Sequence, residues 1–158
     1  TFTVTRSSSS GADTVNYATA TGTAGAADFT ASSGTISFAD GETTKPIAIT
    51  ITPDNIVELD ETFTVTLSSP SRGTITGGPG TGTITNDDSA VLAMTGGSVL
   101  EGDSGTATIT FNVALTNPVD VPVSFLRNTQ DGTATTANSD YVAVVNGGAA
   151  MAAGKLVK

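Results

Sequence analysis

Through most of this chain apolar residues alternate with threonine or serine at a period of two. Successive side chains of a strand point to opposite faces, so such a run has one apolar face and one hydroxyl face. Phe2-Thr3-Val4-Thr5, Thr35-Ile36-Ser37-Phe38, Ile47-Ala48-Ile49-Thr50-Ile51, Thr62-Phe63-Thr64-Val65-Thr66-Leu67 and Gly82-Thr83-Ile84-Thr85 all fit this pattern. None shows the three-to-four spacing of an amphipathic helix, and β-branched residues favour the pleated surface. Turn formers separate the runs at Ser10-Gly11-Ala12-Asp13, Ala39-Asp40-Gly41-Glu42, Ser69-Pro70-Ser71-Arg72-Gly73 and Gly77-Gly78-Pro79-Gly80. Short strands at this spacing predict an all-β, antiparallel sandwich with no helix longer than about a turn.

An internal repeat divides the chain. Ala20-Thr21-Gly22-Thr23-Ala24 followed by Asp28-Phe29 recurs as Gln130-Asp131-Gly132-Thr133-Ala134 followed by Asp140-Tyr141. The glycines at 22 and 132 lie 110 residues apart and the aspartates at 28 and 140 lie 112 apart, so a two-residue insertion separates the copies. Paired β stretches precede both copies, from Phe2 to Tyr17 and from Thr108 to Phe125. A domain-sized period indicates modules in tandem rather than a solenoid. The second copy opens on Ser98-Val99-Leu100-Glu101-Gly102-Asp103-Ser104-Gly105, has no counterpart of Asp54 to Asp88, and begins almost without linker at Ala90 to Met94. The expected organisation is therefore 1–88, most of one repeat lacking its first strand segment, and 89–158, the N-terminal half of a second. The start at Thr1 without methionine reads as a segment of something longer.

Histidine and cysteine are both absent, which removes Ser-His-Asp and Cys-His catalysis, the usual zinc ligands and disulfides. No enzymatic activity is expected. The formal net charge of -9 repels nucleic acid and anionic lipid and attracts cations. No apolar run approaches the ~18 residues that span a bilayer, so membrane insertion is not expected.

The acids are grouped. Four of the 15 fall within Asp54-Asn55-Ile56-Val57-Glu58-Leu59-Asp60-Glu61, between two strand runs. Asn86-Asp87-Asp88 closes the first repeat, and Glu101 and Asp103 open the next. Two unit charges about 5 Å apart repel by roughly 3 kcal/mol at an effective dielectric near 20, so convergence of these loops calls for a cation or full solvation. Calcium, with ~6–8 oxygen ligands in flexible geometry, suits carboxylates and carbonyls better than magnesium, which keeps its waters. A solvated polar turn is the competing reading of Asp54 to Glu61, in which Asp60 braces the turn by accepting backbone N–H bonds. Asp13, Asp40 and Asp120 read as plain turn residues.

Taken in order, Gly22-Thr23-Ala24, Asp28-Phe29, Phe38-Ala39-Asp40-Gly41-Glu42, Asp54 to Phe63 and Gly82-Thr83-Ile84-Thr85-Asn86-Asp87-Asp88 resemble a Calx-β repeat, matching over nearly all of residues 1 to 88. Residues 97 to 158 resemble the front half of a second repeat. The resemblance implies a seven-stranded, immunoglobulin-like sandwich of a family found in sodium-calcium exchangers and large bacterial surface proteins. In its calcium-binding members the ligands come from an opening Glu, the Asp of the middle motif, the acidic loop and the terminal Asp run. Carried over, these are Asp28, Asp54, Glu58, Glu61, Asp87 and Asp88 for the first repeat and Glu101 and Asp140 for the second. Pro53 and Asn55 stand where strong binders carry further Asp, Asn86 replaces the first of a terminal triplet, and the first repeat's opening Glu is missing; fewer carboxylates imply fewer ions or weaker binding.

The function expected on these grounds is a calcium-binding structural or adhesive module, a stiffened spacer in an extracellular or cell-surface multi-repeat protein. Its partners would be neighbouring repeats, with a homopolymer or a surface ligand as further partners. The alternative is a self-assembling subunit of a fibre or sheath, completed by strand addition between chains. Gly77-Gly78-Pro79-Gly80 lacks the setting and the lysine of a phosphate loop, and without tryptophan the acids are poorly equipped to grip a sugar.

Overall fold

The computed structural model describes residues 1–154. Among them there is no helix, and ten strands pair antiparallel throughout. Two compact units emerge, Thr1–Asp54 with Leu59–Asn86 and Asn55–Glu58 with Asp87–Lys158.

In the first unit β1 (Phe2–Thr5) pairs with β4 (Thr44–Ile47). Against this ribbon packs a four-stranded sheet in the order β3-β2-β5-β6, formed by β2 (Asp13–Thr21), β3 (Ser33–Phe38), β5 (Glu61–Ser68) and β6 (Gly80–Ile84). The alternation predicted from sequence sets the layers. Val4 and Ile47 from one sheet meet Val15, Ile36, Phe38, Phe63 and Val65 from the other, with Ala24 and Phe29 completing the buried core. Phe63 is its centre: its ring stacks on Phe29 at 4.5 Å between centroids and takes the edge of Phe2 at 5.8 Å. Full burial contributes about 1.5–3 kcal/mol each for Phe29 and Phe63, with the half-buried Phe2 adding less, so the aromatic trio is a principal source of the unit's stability.

The predicted turns occur where expected. Gly11, Gly41, Gly73 and Gly77 all have positive φ, which glycine adopts without a Cβ penalty. One strand is displaced. The run expected at Ile47 to Ile51 ends as a strand at Ile47, where β1 supplies Phe2 as partner. Beyond that point the backbone changes partner: Thr30 N–H donates to the Thr50 carbonyl at 2.9 Å, Phe29 bridges Ile51, and Thr52 N–H donates to the Asp28 carbonyl at 2.8 Å.

The Gly22-Thr23-Ala24 motif is an anchor for β5. Ala24, fully buried, donates its N–H to the Thr62 carbonyl at 3.0 Å, and Thr23 Oγ1 accepts the Thr62 N–H at 2.8 Å. A Cβ on Gly22 would stand 2.4 Å from the same carbonyl oxygen, so the approach requires glycine.

At the opposite end Arg6 joins two turns. Its Nε donates to the Glu42 carbonyl at 2.6 Å, Nη1 to Gly11 at 2.8 Å, and Nη2 to Ala39 at 2.8 Å and Ser9 at 3.3 Å. The guanidinium carbon lies 5.2 Å from the centre of the Phe38 ring.

The second unit contains two ribbons, β7 (Leu92–Thr95) with β8 (Asn112–Leu115) and β9 (Val123–Arg127) with β10 (Gly147–Met151). Leu115, Val119 and Met151 are its buried residues, flanked by Val57, Ala90, Val113, Val123 and Phe125. Val57 enters this core because the 55–58 segment is hydrogen-bonded to it: Val57 N–H donates to the Pro118 carbonyl and Asp120 N–H to the Val57 carbonyl, at 3.0 and 3.2 Å. Met94, Leu126, Val142 and Val145 remain exposed.

Candidate metal centre

The backbone exchange after Ile47 places the first acids. Because Thr52 pairs with Asp28, two further residues carry the chain to Asp54 on the same side. The carboxylates of Asp28 and Asp54 come within 4.8 Å of one another. Asp28 is oriented locally, its Oδ2 accepting the Gly25 N–H at 2.6 Å, and it is half-buried while Asp54 is exposed. Two carboxylates at that separation repel by roughly 3 kcal/mol at an effective dielectric of 20 and by about 1 kcal/mol in water-like surroundings. A divalent cation reverses the sign of this energy.

The remaining sequence-predicted residues are placed as follows. Glu58 belongs to the 55–58 segment of the second unit, half-buried beside Val57. Glu61 is the first residue of β5, opposite Ile84. Asp87 is exposed and Asp88 half-buried at the entry to the second unit. Glu101 is exposed on the β7–β8 connection, followed by Gly102 and Gly105 with positive φ. Asp140 accepts the Thr135 N–H at 2.8 Å and donates its own N–H to the Thr135 carbonyl at 3.1 Å. This repeats the Gly25–Asp28 arrangement, in which Asp28 N–H also reaches the Gly25 carbonyl, at 3.4 Å.

Two acids outside the predicted set have defined tasks. Asp60 Oδ1 accepts the Asn86 N–H at 3.0 Å, which ties the exit of β6 to the acidic loop. The brace foreseen for Asp60 thus holds a residue 26 positions away. Asp131 accepts the Tyr141 hydroxyl at 2.5 Å and the Thr136 N–H at 3.0 Å. These bonds lower its pKa, the hydroxyl contributing most, and the same contact raises that of Tyr141. The only sequence signal for Asp131 was its place in the second Gly-Thr-Ala motif, where the first copy has Thr21.

A donor set of carboxylate and backbone oxygens, in a chain without histidine or cysteine, fits a hard cation. Calcium meets it best, since it takes ~6–8 oxygens at about 2.3–2.6 Å without strict geometry. Fold and donors together define an immunoglobulin-like β-sandwich module with acidic connecting loops. The Calx-beta domain profile matches residues 1–95 and again 86–147. The chain belongs to the Calx-beta domain family. Among solved structures it is similar to CBD12 from CALX1.2, at 27% identity and a TM-score of 0.51, and to calcium binding domain CBD12 of CALX1.1, at 24% and 0.52; each covers 99% of this chain. The chain spans 66% of the length of either. The apo form of the Calx CBD1 domain is 31% identical over 52% of this chain and 76% of its own, with a TM-score of 0.49. Comparison with curated proteins gave no match.

Proposed function

We propose that this chain is a non-enzymatic calcium-binding module and that, within an extracellular or cell-surface multi-repeat protein, bound calcium stiffens it as a spacer. The observation that carries the reading is the convergence of the Asp28 and Asp54 carboxylates. Membership in the Calx-beta family and the likeness to a chain described as a calcium binding domain support it. In this reading Asp28 and Asp54 form the fixed part of the site. Glu61, the first residue of β5 in the same unit, offers a further carboxylate, and Glu58, Asp87 and Asp88 are candidate ligands on the second unit. Glu101 and Asp140 are the corresponding contributions of the second repeat.

Titration calorimetry with calcium, paired with melting curves with and without chelator, tests the proposal. A cation that binds only the folded chain stabilises it by about 2.7 kcal/mol at a hundredfold excess over its dissociation constant. Asp28→Asn with Asp54→Asn removes two charges with little change of volume and should abolish both the heat and the calcium-dependent rise in Tm. Absence of heat at millimolar calcium, with unchanged melting, leaves the solvated-turn reading. A rise that survives the double substitution moves the site elsewhere.

A further inference from the structure

Three dipeptides in this chain place an aspartate or asparagine before glycine: Asp40-Gly41, Asp131-Gly132 and Asn146-Gly147. Such a pair is chemically labile, because the glycine nitrogen, unhindered by a Cβ, can reach the preceding side-chain carbonyl carbon and close a succinimide ring. Two of the three are tied down. At Asp40-Gly41 the carboxylate accepts the Gly11 N–H at 2.6 Å, and the Gly41 N–H is donated to the Ser9 carbonyl at 2.7 Å. At Asp131-Gly132 the carboxylate holds the Tyr141 hydroxyl and the Thr136 N–H, and the Gly132 N–H is donated to the Ala134 carbonyl at 3.1 Å.

Asn146-Gly147 is held differently. Asn146 is exposed with a φ of 50°, and its backbone N–H is donated to Asn128 Oδ1 at 2.5 Å, while its carboxamide makes no hydrogen bond among the described residues. Gly147 is the first residue of β10, and strand ends open more readily than strand interiors. Arg127 faces it across the hairpin, with Nε 3.1 Å from where a Cβ on Gly147 would stand, so a guanidinium lies against the residue that carries the attacking nitrogen. A positive charge nearby favours the ionised, nucleophilic form of that nitrogen. The exposure belongs to the position in the hairpin. Phe38 and Met151 are the buried last residues of β3 and β10, facing Asp13 and Val123, and five residues back from each stand Ser33-Gly34 and Asn146-Gly147. In the first sandwich, where β5 and β6 are both in place, Ser33 lies on a strand paired with β2 alone and is exposed.

We propose that Asn146 is a site of spontaneous deamidation, with water as the co-reactant, and that Arg127 promotes the reaction. The Gly147 nitrogen gives its proton to solvent and attacks Asn146 Cγ. The N–Cγ bond forms, the Cγ–Nδ2 bond breaks, and the amide nitrogen takes up a proton and leaves as ammonia. Water then opens the succinimide at either carbonyl, giving aspartate or isoaspartate. Both products make the net charge one unit more negative than -9 and set a carboxylate beside Arg127. Isoaspartate also adds a methylene to the main chain where β10 begins, which alters the start of the β9–β10 ladder.

The test ages the full chain at mildly alkaline pH in oxygen-18 water and maps its peptides by mass spectrometry. Conversion at Asn146 should outrun that at every other asparagine of the chain at least tenfold, with labelled oxygen gained and both aspartate and isoaspartate formed. Arg127→Gln should slow it severalfold, and Arg127→Lys, which keeps the charge, should retain most of the rate. In urea, where the hairpin is lost, the parent and both variants should convert equally fast, which separates a positioned charge from the intrinsic lability of the dipeptide. An Asn146 that stays intact, or isoaspartate arising to the same extent at Asp40 or Asp131, overturns the proposal. So does a folded Arg127→Gln chain that converts as fast as the parent.

Discussion

Replacing Arg6 tests whether one side chain holds an end of the first sandwich together. Of its four carbonyl contacts, those to Glu42 and Gly11 are half-buried and those to Ser9 and Ala39 exposed. Hydrogen bonds from a charged donor contribute about 1.5–3 kcal/mol each. The half-buried pair taken at the low end, with about 0.5–1 kcal/mol for the contact with Phe38, gives roughly 3–4 kcal/mol. Rehydration of the vacated carbonyls returns part of this, so Arg6→Met should cost about 2–4 kcal/mol, a large share of a typical ~5–15 kcal/mol stability. Arg6→Lys should recover little, because an ammonium presents its donors from one atom and cannot span carbonyls that a planar fork reaches. Urea unfolding measures the loss in a Tyr141→Phe background, where Tyr17 is the sole tyrosine in a chain without tryptophan. With a slope of about 1.5 kcal/mol per molar, the midpoint falls by about 1.3–2.7 M. Hydrogen exchange at the Gly11 and Gly41 amides, bonded to Asp40 and to the Ser9 carbonyl, should accelerate in parallel. A loss under about 1 kcal/mol for Arg6→Met, or a lysine variant as stable as the parent, refutes the reasoning.

Gly22→Ala should destabilise the first unit by at least about 2 kcal/mol, since the added carbon meets a backbone oxygen at 2.4 Å; thermal melting reads it, and Gly41→Ala, strained by its positive φ but free of contact, should cost less. Thr62→Pro, which removes the N–H accepted by Thr23, should be worse than Thr62→Val in the same assay. Glu42 and Asp13 have depressed pKa values in the folded chain, the first chiefly through Lys45 and then the Ala39 N–H, the second chiefly through the Ser71 hydroxyl. A depressed value favours the folded state above the unfolded pKa, so their contribution is complete at neutral pH. It disappears as pH falls below the ordinary 4.5 and 3.8. The Glu42→Gln, Asp13→Asn double variant should flatten the drop in Tm between pH 6 and pH 3.

The period of two made the strands legible because each sheet face is decided residue by residue, and Thr62 to Leu67 falls within β5 for that reason. Glycine-bearing turns were legible because positive φ is a local demand. Partner choice was not. Ile47 to Ile51 carries a strand pattern throughout, yet where its hydrogen bonds pass from β1 to the 28–30 segment depends on a strand 45 residues away, Phe2 pairing with Ile47. The same switch brings Asp28 to Asp54, so the acids were visible as candidates while their meeting was not. Gly22-Thr23-Ala24 was recognisable as a repeated motif but not as a grip on Thr62, since its counterpart is backbone and carries no sequence mark. Arg6 gave no signal either, because its hydrogen-bond acceptors are all backbone carbonyls.

The Phe63 ring lies between the Phe29 face and the Phe2 edge, and its tip crosses β6 where a Cβ on Gly82 would stand 2.6 Å away. A phenyl ring must sweep volume to turn over, and here two other rings and a main chain are among the surfaces that bound it. Rotation of this ring therefore needs a momentary loosening of the packing around it. Its flip rate, read from the line shapes of the paired ring protons, becomes a clock for how often the sandwich breathes.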